Sequence, residues 1–150
     1  MCHVHEALLV QYSEYFKRAL NGRWKETEDR VVRLDDVDSD TFDKFVEWLY
    51  TQRPPFPQKR GSEYLTEDET ADAQILRIKL CMFSDRFQCP HLTRCLRRHI
   101  TNQLMYYEPI YPRTITFAFD RLKEDDILLK LLVDESCLGL KFGLRDTGHL

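Results

Sequence analysis

The chain has 150 residues, of which 22 are basic and 25 are acidic, so its formal net charge is −3. This near balance disfavours a strongly basic nucleic-acid-binding protein. Its 43% of hydrophobic residues exclude disorder by composition. The apolar runs are much shorter than the ~20 residues of a membrane-spanning helix, so we expect no membrane span.

The cysteines and the start of the sequence indicate a reducing compartment. The number of cysteines is five, no CxxC pair occurs, and no secretory signal opens the sequence. We therefore expect free thiols and a cytoplasmic or nuclear protein.

Two helical pieces are predicted over residues 5–20, because apolar side chains recur there at four-residue spacing. Ser13 is a candidate N-cap for the second piece, since its hydroxyl can accept a free backbone N–H. Asn21-Gly22 predicts the helix end, with a left-handed residue at that point.

The segment RVVRL, residues 30–34, is predicted as a strand because it is short and rich in β-branched residues. Residues 2–4 are predicted as half of another strand. Backbone groups of a strand need partners, so we expect a further strand in this chain, in another chain or in residues beyond this sequence.

Three more helices follow from periodicity and cap signals. The first begins after the acidic run DDVDSD, and a proline-rich loop that contains PPFPQK separates it from the next. Thr66 and Glu69 have capping-box spacing for a second, central helix, and Cys89-Pro90 predicts the start of the third. The first of these helices has an amphipathic stripe formed by Phe42, Phe45, Val46, Leu49 and Tyr50.

The C-terminal third predicts a helical extension. TITFAFDRL alternates weakly, as a strand does, but it also fits a helix with a stripe through Ile115, Phe119 and Leu122. EDDILLKLLVDESCLGL is predicted as a helix. We expect an α+β, mostly helical fold, with a main domain over 1–105, a helical extension over 106–140 and a tail over 141–150.

The sequence contains no motif typical of an enzyme or of a cofactor site. GxSxG, HExxH and a glycine-rich phosphate loop are all absent, so we predict no catalytic, cofactor-binding or metal-binding residue. An alternative hypothesis is a metal- or nucleic-acid-binding regulator. It would use Cys2, His3 and His5, or an arginine-rich helix face from Arg94 to Arg98.

Three segments in order resemble the BTB/POZ domain family, over roughly residues 2–104. They are VHEALLVQYSEYFKRAL, WKETEDRVVRLDDVDSDTFDKFVEWLYT and LCMFSDRFQCPHLTRCL, in the wording found in fungal members. The positions that fit the family pattern are His5, Leu8, Leu9, Ser13, Phe16, Glu26, Val32, Leu34, Phe42, Leu49, Tyr50, Asp85, Phe87, Leu92 and Leu96.

The resemblance implies a helical cluster capped by a small β-sheet, here incomplete, because the first strand of the family's opening hairpin is expected before Met1. It also implies a non-catalytic protein–protein interaction module. Such a module forms a homodimer or pairs with another BTB protein, and it sometimes docks on a cullin-type ubiquitin-ligase scaffold.

The resemblance also implies which residues bind partners. The dimer surface would lie on the first helical stretch. A cullin surface would use the helix of residues 41–51 and the loop before the central helix, although the aligned segment ILRIK lacks the family's acidic residue. The residues predicted on these surfaces are Tyr12, Tyr15 and Leu20 for the first, and Phe42, Phe45, Trp48, Leu65 and Glu67 for the second.

Overall fold

A computed structural model of the chain describes residues 2–22, 29–56, 66–106 and 109–143. These residues form helices and contain no strand, which confirms the mostly helical fold class. In chain order the described helices are α1 (Glu6–Tyr12), α2 (Glu14–Asn21), α3 (Ser39–Thr51), α4 (Glu67–Arg86), α5 (Pro90–Tyr106), α6 (Pro112–Arg121) and α7 (Ile127–Gly143).

The chain divides into two compact units. Unit 1 consists of Met1–Lys59 and Lys79–Leu96, and unit 2 consists of Arg60–Ile78 and Arg97–Leu150. The division falls inside α4 and inside α5, so each of these two helices contributes residues to both units.

Helix starts are set by local caps in both units. Before α3, the Asp38 carboxylate accepts a hydrogen bond from the backbone N–H of Thr41 at 3.0 Å. Before α4, the N–H of Thr66 donates to Glu69 Oε2 at 2.8 Å, and the N–H of Glu69 donates to Thr66 Oγ1 at 3.2 Å. This reciprocal pair is the predicted capping box, and it satisfies two backbone donors that a helix start leaves unpaired.

Unit 1 has an aromatic core. The ring of Phe83 lies 4.3 Å from that of Phe87 and 4.7 Å from that of Phe45, measured between centroids. Phe16 stacks on Phe87 at 5.4 Å, with an interplanar angle of 5°. All four rings are buried. Such ring pairs contribute about 0.5–1.5 kcal/mol each beyond the burial of their area.

Unit 2 combines aliphatic packing with a buried amide. Gln74 Nε2 donates to the backbone carbonyl of Pro109 at 2.8 Å, and the Thr114 hydroxyl donates to Gln74 Oε1 at 2.7 Å. Gln74 and Thr114 are buried, so these bonds satisfy polar groups that would otherwise be costly inside the protein. The buried apolar side chains of this unit are Ala71, Ile78, Ile100, Ala118, Leu128, Leu129 and Leu132.

The predicted strands are absent from the described part of the chain. Residues 30–34 form neither helix nor strand, and the same holds for residues 2–4. A β-branched run becomes a strand only when another segment accepts its backbone hydrogen bonds. No other segment in the described ranges does so, which corrects the strand prediction.

Two details of the helices differ from prediction. Gly22 ends α2 with φ −83° and ψ −172°, which is extended backbone and not the predicted left-handed conformation. α6 confirms the helical alternative for its segment, but it buries Thr114 and Ala118, while Phe119 is 58% exposed. The bond from Thr114 to Gln74 lies on the buried face of α6, while Ile115 and Leu122 of the predicted stripe are half-buried.

The C-terminal helix begins and ends three residues later than the predicted segment 124–140. α7 begins at Ile127 and continues to Gly143, which lies inside the segment 141–150 that the sequence predicts as a tail. At its start, Asp126 Oδ1 accepts a hydrogen bond from the N–H of Leu128 at 2.8 Å. The division into a domain of 1–105 and an extension of 106–140 stays a prediction.

Candidate partner-binding surface

α1 is an apolar helix that the described residues cover only in part. Its sequence is EALLVQY, and none of its residues is buried. Leu8, Leu9 and Val10 are each half-buried. A short helix is stable mainly through the packing of its apolar side chains, so α1 keeps apolar surface that a partner could cover.

The junction between α1 and α2 is fixed to the turn that follows α4. The Ser13 hydroxyl accepts a hydrogen bond from the N–H of Phe16 at 3.1 Å and donates to the carbonyl of Phe87 at 2.6 Å. The N–H of Glu14 donates to the carbonyl of Gln88 at 3.1 Å. Ser13 is therefore the predicted N-cap of α2, and it also sets where α1 leaves the core of unit 1.

The other end of α1 is held by His5 and Tyr50. The backbone N–H of His5 donates to the Tyr50 hydroxyl at 3.2 Å, and that hydroxyl shares a hydrogen bond with Nδ1 of His5 at 2.6 Å. Arg30 forms an ion pair with Glu6 in the first turn. Sequence reasoning missed the role of Tyr50, which it placed on a core stripe and which is 49% exposed. The sequence did contain one signal for it. His5 is not a usual N-cap residue, so a partner from elsewhere in the chain could be expected at the start of α1.

Two tyrosines form the outer edge of the aromatic core next to α1. The Tyr12 ring lies edge-on to Trp48, with centroids 5.4 Å apart. Tyr15 is 40% exposed, and its ring meets Phe87 edge-on at 4.9 Å. Tyrosine offers large contact area with little loss of side-chain freedom, so these two rings suit a protein interface.

The eight predicted partner-binding residues fall into groups with different exposure. Buried side chains cannot touch a partner in this conformation, so the exposed and half-buried members are the better candidates. Whether any of the eight binds a partner stays a prediction. Tyr15 and Glu67 are exposed, Tyr12 and Phe42 are half-buried, Leu20, Phe45 and Trp48 are buried, and Leu65 lies outside the described residues.

Other candidate sites gain little support. Among residues 2–22, 29–56, 66–106 and 109–143, no group of three His, Cys, Asp or Glu side chains could hold a metal ion. Burial raises the pKa of the Cys89 thiol to about 11, so this cysteine packs as a protonated side chain. In the proline-rich loop that contains PPFPQK, Pro55 and Phe56 are buried, so their side chains are not available to a partner. The side chains of Arg94, Arg97 and Arg98 are exposed.

A partly covered apolar helix next to exposed tyrosines is typical of proteins that bind other proteins. The family model of the BTB/POZ domain matches residues 1–104, and the chain belongs to this family. The match confirms the family that the sequence resembles. BTB/POZ domains are in general protein–protein interaction modules without catalytic activity.

Searches of curated proteins and of solved structures found no match to this chain. Within the described residues, none of the helices is both long and apolar enough to cross a membrane.

Proposed function

We propose that this chain is a non-catalytic interaction module that forms a homodimer through the α1 surface, by which we mean Leu8, Leu9, Val10, Tyr12 and Tyr15. The observation that supports it is the partial cover of α1, an apolar helix in which none of the residues is buried. A second copy of the chain would cover this surface and gain about 25 cal/mol for each Å² of apolar area removed from water.

Helical register indicates which half-buried side chain of α1 lies farthest from the contact with α3. Tyr12 packs on Trp48 of α3. Successive residues of a helix are about 100° apart, so Val10 lies about 160° around α1 from Tyr12. Val10 is therefore the best position for a substitution that disturbs a partner and spares the core.

The test is the solution mass of the full 150-residue chain by light scattering over a range of concentrations. For a homodimer we expect a mass near twice the 18.0 kDa of one chain. Val10→Glu should shift the mass to that of one chain, because a carboxylate at the interface would lose its water. Gln11→Glu adds the same charge at an exposed position of α1 and is the matched control, with the dimer retained.

Two results would contradict the proposal. One is a monomer at every concentration, and the other is a dimer that Val10→Glu leaves intact while circular dichroism shows a native helix content. If Val10→Glu loses helix content, Val10→Ser replaces it as a milder polar substitution. A monomer that pairs only with a different BTB protein would support the heteromeric alternative in place of the homodimer.

Docking on a cullin scaffold is not part of the proposal. The aligned segment ILRIK, at the middle of α4, lacks the acidic residue of family adaptors, and Leu65 lies outside the described residues. Glu67 is exposed in the first turn of α4, but exposure alone does not indicate a cullin.

A further inference from the structure

α7 has apolar side chains on two faces, and unit 2 covers one of them. Leu128, Leu129 and Leu132 are buried. On the opposite side, Ile127 is 68% exposed and Leu138 is 43% exposed. The outer face of a surface helix usually carries polar residues, so large apolar side chains there indicate a surface for a partner.

The outer apolar residues of α7 form one stripe along the helix. Successive residues are about 100° apart, so positions 127, 131, 134 and 138 lie within about 60° of one another. Their intervals of four, three and four residues are those with which one helix packs along another. The four residues, which we call the α7 seam, are Ile127, Leu131, Asp134 and Leu138, and Leu131 is half-buried.

Two opposite charges at the seam have no ionic partner in the described part of the chain. Lys130 borders the seam, Asp134 lies in it, and both are exposed. Neither makes an ion pair among the described residues. Within one helix, a lysine that precedes an acidic residue by four positions pairs less well than the reverse order. Both charges are therefore available to a partner helix.

A second copy of α7 fits the seam in antiparallel orientation. With a twofold axis between positions 132 and 133, Ile127 of each copy lies level with Leu138 of the other. The two Leu131 side chains lie about 4.5 Å apart along the helix, close enough to pack together. Lys130 of each copy lies within about 1.5 Å of the level of Asp134 of the other, on the same side of the interface. The twofold axis would therefore produce two identical ion pairs.

A parallel pair fits less well. It would bring Lys130 near Glu135 of the other copy, but it would place the two Asp134 carboxylates side by side in the seam. Removing like charges from water costs more than an exposed ion pair contributes. In the antiparallel pair, the two Glu135 side chains lie about 7.5 Å apart along the helix, and each Asp134 has a lysine beside it.

We propose that the α7 seam binds the α7 seam of a second copy in antiparallel orientation. This second self-association surface goes beyond the α1 surface and does not depend on it, since it lies in unit 2 and the α1 surface lies in unit 1. A pair of short helices buries less than the ~1,200 Å² at which stable interfaces begin, so the contact should form only at high concentration. Dimers formed through α1 would then join into larger assemblies.

The experiment measures the solution mass of the full 150-residue chain with Val10→Glu, in reductant and from micromolar to millimolar concentration. Because Val10→Glu removes the α1 contact, we expect one chain at the lowest concentration and a dimer at the highest. Adding Ile127→Glu should weaken this association at least fivefold, because a carboxylate would face Leu138 of the other copy. Asn102→Glu adds the same charge at an exposed position of α5 and should leave the association within twofold.

Three results would overturn the proposal. They are a Val10→Glu chain that stays a monomer at every concentration, an association that Ile127→Glu leaves unchanged, and an equal effect of Asn102→Glu. Glutamate is favourable in the first turn of a helix, so Ile127→Glu should keep the native helix content. The α1 proposal fails separately. If Val10→Glu leaves a dimer intact and Ile127→Glu dissociates it, the dimer surface is the α7 seam and not α1.

A charge exchange tests the orientation. In the Val10→Glu background, Lys130→Glu and Asp134→Lys should each weaken self-association, because each places like charges side by side. A mixture of the two should associate at least fivefold more tightly than either alone, since both ion pairs return with reversed sign. Lys123→Glu mixed with Asp120→Lys changes the net charges equally outside the seam and should show no such gain. An equal gain in both mixtures, or no gain in either, would overturn the proposal.

Discussion

Unit 1 and unit 2 are each stabilised internally by a different kind of contact. In unit 1, rings pack on rings, as Phe83 does on Phe45 and Phe87. In unit 2, aliphatic side chains surround the buried Gln74, whose amide binds Pro109 and Thr114. Dispersion between rings tolerates small shifts, whereas hydrogen bonds of a buried amide require their partners at fixed positions.

This difference indicates how each unit gains its order. The aromatic core stabilises unit 1 through buried area and many weak contacts between rings. Removing one ring should therefore lower the free energy of unfolding strongly, because several neighbouring rings lose contacts. The amide of unit 2 contributes less net free energy but fixes where the segment that begins at Pro109 meets α4, because an unpaired buried amide is costly. Three substitutions separate these roles.

The largest effect is expected in unit 1 from Phe83→Ala. Phe83 is buried between Phe45 and Phe87, and its removal should lower the free energy of unfolding by about 3–5 kcal/mol, through lost burial and a cavity. Urea unfolding measures the change. Phe119→Ala is the matched control, because this ring is 58% exposed and should contribute less than about 0.5 kcal/mol. A similar loss in both variants would show that ring burial is not what stabilises unit 1.

A smaller effect is expected in unit 2 from Gln74→Leu. This substitution keeps the side-chain volume similar but leaves the Thr114 hydroxyl without its acceptor, and it should lower the free energy of unfolding by about 1–3 kcal/mol. The double variant Gln74→Leu with Thr114→Val should recover part of that loss, because both polar partners are then gone. Losses that simply add up would mean that the bond does not couple the two residues.

The smallest effect is expected from the cap of α3, because a cap satisfies a single backbone N–H at the start of one helix. Asp38→Ala should lower the free energy of unfolding by about 1 kcal/mol at neutral pH. Asp40→Ala, at an exposed position in the first turn of the same helix, should lower it less. The measurement is urea unfolding of the three proteins, and an equal loss from Asp40→Ala would assign the effect to charge and not to capping.

The stabilisation that the Asp38 cap contributes should depend on pH. Partial burial raises the pKa of Asp38, but hydrogen bonds from Thr41 and the ammonium of Lys79 at 3.4 Å outweigh it, so the pKa lies below its usual value. A carboxylate with a lowered pKa stabilises the fold above its unfolded pKa, and the stabilisation is lost as the pH falls through the folded value. The difference between wild type and Asp38→Ala should therefore shrink below about pH 4. A difference that stays constant down to pH 2–3 would contradict this.

The features that the sequence predicts well are local ones. Ser13, the pair Thr66 and Glu69, and Pro90 each act within a few residues, so their chemistry can be recognised before the fold is known. The dimer surface came from the family resemblance, as the first helical stretch with Tyr12, Tyr15 and Leu20. Which of its side chains stay uncovered depends on what α3 and the turn after α4 contribute, and no local pattern contains that information.

The features that the sequence predicts poorly depend on distant partners. RVVRL has strand composition but no strand, because no described segment pairs with it. α6 has a larger apolar stripe through Phe119, yet it buries Thr114, because Gln74, forty residues earlier in the chain, takes the hydroxyl. The structure buries Leu20, Phe45 and Trp48, which the resemblance implies as partner contacts, and whether they bind a partner stays a prediction.

The family match and the folding of the chain end at different places. The BTB/POZ match stops at residue 104, inside α5, but Gln74 within that match bonds to Pro109 and Thr114 beyond it. Transplanting residues 1–104 into another protein would therefore cut through a packed unit and leave an amide without its acceptors and donors. A chimera that borrows this domain should keep the sequence at least through α6, so that the donor and recipient join at the turn before α7 and not at the family boundary.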